Sequence, residues 1–258
     1  MTFAEPYHPD LEADLMLTLP RGVDPMISER HLAPAALDSP ASRARVVEAV
    51  APLVFRTDLE APGFMLLDLG REHSPARFRA HLVDLGRTLA DHYALEFGDA
   101  LRFVSCSRFD QQSPTRPHRD GGPDASLLLL GYEPTSVASM VYLLDYTRAA
   151  ADRGLSPVEY LDAFNPAFGD NARLLDSYTE EADGFDPTRY QILIVNNSCL
   201  AYSDRHRGML GVLHHAVLLA PDPTRSRIID SVLLGVTETG LDDARLDAFV
   251  VNGVAATA

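Results

Sequence analysis

The chain of 258 residues contains no lysine, since all 22 of its basic residues are arginine. A lysine amine is needed for a pyridoxal phosphate Schiff base and for a phosphate-binding P-loop, so both kinds of site are excluded. Tryptophan is also absent, and only two cysteines are present, Cys106 and Cys199. Because these lie far apart in apolar runs, we expect buried free thiols, and a zinc site built from cysteines is excluded.

Signals for membranes and nucleotides are missing as well. No apolar run approaches the roughly 20 residues of a membrane span, and the first residues lack the basic and apolar regions of a secretory signal. The motifs GxGxxG and GxxxxGK[ST] do not occur. The formal net charge of −15 would repel nucleic acid and anionic lipid. We therefore expect a soluble cytoplasmic protein whose partner is a small molecule.

Predicted helices come first along the chain, and predicted strands follow. Ser39-Pro40 and Ser74-Pro75 each combine an N-cap serine with a proline in the first turn of a helix. Alternation and turn residues predict strands at 63–69, 101–109, 117–120, 125–130, 137–146, 190–195, 211–220 and 227–236. This order favours an α+β fold, with a β-sandwich or barrel core flanked by N-terminal helices.

We interpret residues 1–258 as a single domain. It would comprise an N-terminal arm and helices (1–98), a β core (99–236) with a partly helical insertion (147–188), and a C-terminal tail (237–258). Within the insertion, Ser156-Pro157-Val158-Glu159 has the pattern of a capping box, and so long an excursion between strands is typical of a lid. The turn Pro221–Thr224 predicts that the last two strands form a hairpin.

The motif His118-Arg-Asp120 carries the clearest chemical signal. Pro117 favours an extended backbone before His118, and residues two apart in an extended segment point to the same side. Gly121-Gly122-Pro123 then ends the segment, which would leave both side chains near a rim. Imidazole and carboxylate together suit Fe(II), Mn(II) or Zn(II). The alternative is a surface turn with a local His–Asp hydrogen bond.

A further imidazole would come from the pair His214-His215, far downstream. Adjacent residues of a strand face opposite sides, so only one of the two can face a metal held by His118 and Asp120. A buried imidazole in this apolar run needs a ligand or a hydrogen-bond partner. Two histidines and one carboxylate form the ligand set of non-haem Fe(II) sites that activate oxygen.

Arginines accompany both motifs. Arg225 and Arg227 are predicted on one face of the last strand, where either could clamp a carboxylate through two hydrogen bonds; the alternative is a solvated hairpin edge. In so acidic a chain, two arginine clusters indicate a small anionic ligand. The clusters are Arg102, Arg108, Arg116 and Arg119 around the first motif and Arg205, Arg207, Arg225 and Arg227 around the second.

The order His118-x-Asp120, His215-Ala-Val217, then Arg225 or Arg227, on strands that follow N-terminal helices, resembles the Fe(II)/2-oxoglutarate-dependent oxygenases. The resemblance spans about residues 100–236. It implies a double-stranded β-helix (jelly-roll) core in which His118, Asp120 and His215 bind Fe(II). His215 is preferred to His214 because the family often shows H-x-V at this point.

The resemblance also implies that Arg225, or as second choice Arg227, binds 2-oxoglutarate, and that O2 is the oxidant. The expected activity is hydroxylation or another oxidation of a small anionic or zwitterionic molecule. Two alternatives stay open. One is a cupin-like metal enzyme, an isomerase or hydrolase, that works without 2-oxoglutarate. The other is a jelly roll that binds a ligand without catalysis.

Overall fold

Two N-terminal helices begin at the predicted serine caps. The computed structural model describes residues 30–32, 37–202 and 208–257, so most of the predicted N-terminal arm lies outside the described residues. Helix α1 (Pro40–Val54) and helix α2 (Pro75–Phe97) follow Ser39 and Ser74, whose hydroxyls accept hydrogen bonds from backbone N–H groups in the first turn. Helix α2 ends at Gly98, which adopts a left-handed conformation with φ of 76°.

The strands form two sheets. The larger has seven strands in the order β1-β2-β7-β4-β9-β3-β10 and is mostly antiparallel. Its members are β1 (His31–Leu32), β2 (Phe64–Gly70), β3 (Leu101–Asp110), β4 (Ser126–Tyr132), β7 (Tyr190–Asn196), β9 (Ile228–Val236) and β10 (Ala256–Thr257). The smaller has the order β6-β5-β8 and comprises β5 (Ala138–Leu144), β6 (Thr179–Glu181) and β8 (Leu213–Ala220).

Two strand predictions are wrong. The predicted strand 117–120 is reduced to one isolated bridge between His118 and His214. The predicted hairpin does not form, because β8 pairs with β5 while β9 pairs with β3 and β4 in the other sheet. The turn itself exists, since the Asp222 carboxylate accepts hydrogen bonds from the backbone and hydroxyl of Thr224. It carries the chain from one sheet to the other.

The large sheet is buried on both faces. On one face its side chains pack against α1, α2 and the C-terminal helix α5 (Asp243–Val251). On the other face, Leu128, Leu130 and Leu233 join Val141 and Leu143 of the small sheet in a second apolar cluster. Burial on both faces explains why β4 and β7 are almost continuously apolar.

The insertion packs against the end of the small sheet. It contains α3 (Tyr146–Ala151), α4 (Pro157–Phe164), a 3-10 helix (Asn171–Tyr178) and β6, which pairs with β5. The predicted capping box at Ser156 and Glu159 is confirmed. Both cysteines are free thiols, Cys199 buried and Cys106 half-buried. No helix in the described ranges combines the length and apolar character needed to cross a bilayer.

Candidate metal centre

His118 and His214 are joined by the isolated β-bridge. Each backbone N–H donates to the other residue's carbonyl, at 3.1 Å in both directions. Side chains of directly opposed residues lie on the same side of a sheet, and here the two ring centroids are 4.4 Å apart. His214 is also opposite Leu143, a member of the apolar cluster between the sheets. The bridge therefore turns both imidazoles toward that space.

Asp120 completes the group. Its Oδ1 lies 3.4 Å from His118 Nε2 and 3.9 Å from His214 Nε2. One potential ligand atom from each of the three residues falls within 4.8 Å of the others. Among the described residues this is the only set of three such side chains found close enough to hold a metal ion. Two imidazoles and one carboxylate are ligands that Fe(II), Mn(II) and Zn(II) accept.

His215, the histidine preferred from the sequence, is not part of this group. Its ring stacks on Tyr142 with centroids 5.0 Å apart, on the opposite face of the small sheet. Burial lowers the pKa of His215 to about 4, so it stays neutral there. The structure thus gathers His118 and Asp120 with His214 instead. The sequence alone could not make this choice, because it depends on which strand residue is opposite His118.

The three side chains form an electrostatic unit. Burial and the neighbouring charge of His118 lower the pKa of His214 to about 3, so His214 is a neutral imidazole. Burial would lower the pKa of His118, but hydrogen bonds with Asp120 and with a carbonyl outweigh it and the net shift is upward. Burial would raise the pKa of Asp120, yet His118 and His214 lower it overall. Metal binding requires neutral imidazoles and an ionised carboxylate, so a cation bound here would displace any proton on His118 Nε2.

The tautomer of His118 is set by its own backbone neighbourhood. Its Nδ1 lies 2.7 Å from the carbonyl oxygen of Arg116. Because a carbonyl can only accept, Nδ1 carries the proton, and in the neutral ring Nε2 presents its lone pair toward Asp120. This is the arrangement usual for metal-binding histidines. His214 Nδ1 is buried without a hydrogen-bond partner among the described residues.

The two candidate clamp arginines lie in different surroundings. Arg225 is exposed and its Nε approaches Asp222 at 3.9 Å. Arg227 is only 2% exposed and donates to Gln111 Oε1 and, at 3.1 Å, to Ser139 Oγ. Both residues precede β9, which begins at Ile228, so the prediction that they share one face of this strand is wrong. Among the described residues, Arg227 Nη2 is buried and has no hydrogen-bond partner.

Tyr132 lies next to Arg227, and its pKa is influenced by both Arg227 and Asp120. The Arg227 guanidinium lies 5.5 Å from the centroid of the Tyr132 ring. Burial raises the pKa of Tyr132 to about 12; the charge of Arg227 opposes this shift and that of Asp120 adds to it. The Tyr132 hydroxyl is thus protonated at neutral pH and can donate a hydrogen bond. Sequence reasoning missed Tyr132, Gln111 and Ser139, because nothing in their local sequence distinguishes them from core residues.

Comparisons with known proteins complete the description. No family model matches the sequence, and no curated protein does. Among solved structures, a non-haem α-ketoglutarate-dependent carbocyclase, SnoK from nogalamycin biosynthesis, aligns with a TM-score of 0.35 and 16% identity. This alignment covers 66% of this chain and 64% of the carbocyclase, just under two thirds of its length. Apo HygX from Streptomyces hygroscopicus aligns with a TM-score of 0.33 and 12% identity, over 76% of this chain and 91% of HygX. Likenesses this distant carry no argument about activity, for which the site geometry is the basis.

Proposed function

We propose that this protein is an Fe(II)- and 2-oxoglutarate-dependent oxygenase that hydroxylates or otherwise oxidises a small anionic or zwitterionic molecule. The observation that carries the proposal is the convergence of His118, Asp120 and His214. It is supported by the buried Arg227, whose Nη2 has no hydrogen-bond partner among the described residues. We interpret the two facing sheets as a double-stranded β-helix, whose interior is the expected place for such a site.

The side chains fit a divalent cation. Two neutral imidazoles and a carboxylate would occupy three positions of an octahedral ion and leave three for other ligands, as in non-haem Fe(II) oxygenases. Zinc in a structural site would instead need four protein ligands. We assign His118, Asp120 and His214 as the metal ligands, so His214 replaces His215 in the proposed set.

The side chains near Tyr132 fit the carboxylate of a 2-oxo acid. Arg227 Nη2 is a buried donor without a hydrogen-bond partner among the described residues, and the Tyr132 hydroxyl is a second donor on a ring that lies against the same guanidinium. A buried guanidinium with an unsatisfied N–H is costly unless an anion pairs with it. The other two nitrogens are engaged, since Nη1 donates to Gln111 and Nε donates to Ser139, and these bonds orient the guanidinium. We therefore assign Arg227, and not Arg225, to the 2-oxoglutarate carboxylate.

When bound, iron and 2-oxoglutarate would supply the oxidising chemistry of this class, in which O2 is consumed and 2-oxoglutarate is decarboxylated to succinate. The protein itself would bind and orient the iron and 2-oxoglutarate, and it would exclude water from the site. The apolar cluster between the sheets would exclude water from the interior end of the site. Because the surroundings there are of low polarity, an ion pair between Arg227 and a carboxylate would be stronger than in water.

The proposed substrate class depends on arginines near the site. Arg108 and Arg119 are engaged within the fold, by carboxylates and by backbone carbonyls respectively. Arg116 is exposed two residues before His118, and its one hydrogen bond, of 3.4 Å, reaches the carbonyl of Ala167 in the insertion. Arg205 and Arg207 lie outside the described residues. An exposed arginine that has no carboxylate partner among the described residues, in a chain of net charge −15, favours an anionic group on the substrate.

The proposal is tested by adding Fe(II) and then 2-oxoglutarate to the metal-free protein without oxygen. We expect a visible charge-transfer absorption band that appears only when both are present. On admitting air with a panel of small acids and amino acids, we expect succinate in stoichiometric excess over protein. The absence of both the band and succinate would refute the assignment.

A metal enzyme that works without 2-oxoglutarate remains the second candidate, because the ligand set alone also suits Mn(II) or Zn(II). Arg227 Nη2, which has no hydrogen-bond partner among the described residues, favours the 2-oxoglutarate-dependent oxygenase. If metal binds tightly while 2-oxoglutarate does not bind at all, the second candidate is correct.

A further inference from the structure

Asp120 is held by a different part of the molecule from the two histidines. His118 and His214 are fixed to each other by the bridge that extends the small sheet. The Asp120 backbone, in contrast, is attached to Asn197, the residue directly after β7 of the large sheet. The proposed ligand set is therefore divided between two sheets, and its geometry depends on both attachments.

Two hydrogen bonds join the backbone of Asp120 to the side chain of Asn197. Its backbone N–H donates to Asn197 Oδ1 at 2.8 Å, and its carbonyl accepts from Asn197 Nδ2 at 3.0 Å. One side-chain amide thus satisfies both backbone groups of Asp120, in a segment that has no strand partner there. Two such bonds fix the direction of the Cα–Cβ bond and with it the position of the carboxylate.

Asn197 is itself immobilised. Asn197 is fully buried. Its Nδ2 also donates to Ser126 Oγ at 3.0 Å, and this bond attaches the Asn197 side chain to the first residue of β4. The carbonyl of Asn197 accepts from Arg119 Nε at 3.1 Å, so the residue between the two upstream ligands is attached to the same point. Every polar atom of the Asn197 side chain therefore serves the His118–Asp120 segment or its support.

We infer that Asn197 is the positioning residue that sets the Asp120 carboxylate against the two imidazoles, so that a bound cation joins the small sheet to the large one. This inference rests on the proposed metal site. Residues that orient metal ligands typically contribute about 10- to 100-fold to metal affinity. Asn197 would do so without touching the ion.

The test is to titrate the metal-free protein with Mn(II). The affinity is measured by calorimetry, and the shift in melting temperature that Mn(II) causes is measured separately. Asn197→Ala is expected to weaken Mn(II) binding by about 10- to 100-fold and to reduce the melting shift at a fixed Mn(II) concentration. Arg119→Gln, which is less buried and less damaging to the core, is expected to weaken binding in the same direction by a smaller factor.

Asn196 supplies the matched control. It is equally buried, and its amide donates to the carbonyls of Val54 and Gly208, away from Asp120. Asn196→Ala is expected to lower the melting temperature of the metal-free protein while leaving the Mn(II) affinity of the folded protein unchanged. Equal loss of affinity in Asn196→Ala and Asn197→Ala, or wild-type affinity in both Asn197→Ala and Arg119→Gln, would overturn the inference.

One more variant separates this inference from the proposed function. His214→Ala is expected to abolish measurable Mn(II) binding. If it binds Mn(II) as the wild-type protein does, the ligand set is wrong and both proposals fail. If it loses binding while Asn197→Ala and Arg119→Gln bind normally, the metal site is correct and only the positioning role of Asn197 is refuted.

Discussion

At the scale of single residues, His214 and His215 show how one position decides function. The two histidines have the same side chain, similar burial and adjacent places on β8. Alternation along the strand turns one toward Asp120 and the other toward Tyr142. Only the pairing of His118 with His214 tells them apart.

Substituting each histidine in turn tests this difference. We expect His215→Ala to bind Fe(II) within a few-fold of wild type, because its ring is outside the metal group. We expect His214→Ala to lose on the order of 100-fold or more, since even residues that only orient ligands contribute about 10- to 100-fold. Equilibrium titration under anaerobic conditions measures both. Equal losses would show that the two rings exchange roles in solution.

The two arginines allow a similar paired experiment. Arg227→Gln is expected to weaken 2-oxoglutarate binding by about 10- to 100-fold, because a hydrogen bond to a charged group contributes about 1.5–3 kcal/mol. Arg225→Gln removes an exposed charge beside Asp222 and should leave the affinity within two-fold. The measurement is titration of 2-oxoglutarate against the Mn(II)-loaded proteins. A larger effect of Arg225→Gln would restore the choice made from the sequence.

At the scale of elements, the sequence predicted what is local. The serine caps of α1, α2 and α4 were readable because a cap depends on residues three or four apart. The partners of β8 and β9 were not, since strand pairing is decided by contacts remote in sequence. The helix α5 was missed because its acidic, weakly periodic sequence resembles a tail. The same limit explains why the sequence placed His118 and Asp120 on one side of a segment but could not choose between His214 and His215.

Close contact between α2 and the large sheet gives a prediction for Gly131 of β4. A Cβ at this position would lie 2.6 Å from Leu82 Cδ1 and 2.8 Å from Phe78 Cε1, both on α2. Gly131→Ala is therefore expected to lower the free energy of unfolding by about 1–3 kcal/mol, as overpacking does. Gly253→Ala, where nothing lies within 4 Å, is the control. Chemical denaturation of both variants measures the difference, and equal stability would mean that α2 moves to make room.

At the scale of the whole molecule, a buried polar network links α2, α5 and the large sheet. Arg108 donates to the carboxylates of Glu133 and Asp230. Arg79 donates to the carbonyls of Phe249 and Val250 at the end of α5. Arg79 Nη1 also lies 3.7 Å from Glu133 Oε1, which joins the two arginines through one carboxylate. Burial, reinforced by the charge of Glu133 and opposed by Arg108, raises the pKa of Asp230 to about 7.

This network predicts a pH dependence of stability. The pKa of Asp230 in the folded protein, about 7, lies above the value of 3.8 for an ordinary aspartate. Folding therefore takes up a proton between these values, and the stability contributed by the protonated group is lost as pH rises from about 4 to about 7. Relative to Asp230→Asn, the wild-type protein should lose unfolding free energy over this range. Parallel pH profiles of the two proteins would show that Asp230 is ionised in the fold.

The two edge strands of the large sheet affect how copies of this protein could associate. These strands are β1 and β10; each has two residues, and each runs parallel to its neighbour. Short outer strands offer few free N–H and C=O groups to another chain. Each covers only two residues of the longer strand beside it, Leu66 and Leu67 of β2 or Phe109 and Asp110 of β3. A second copy of this protein that added a strand along the full length of β2 or β3 would therefore have to compete with β1 or β10 for those residues.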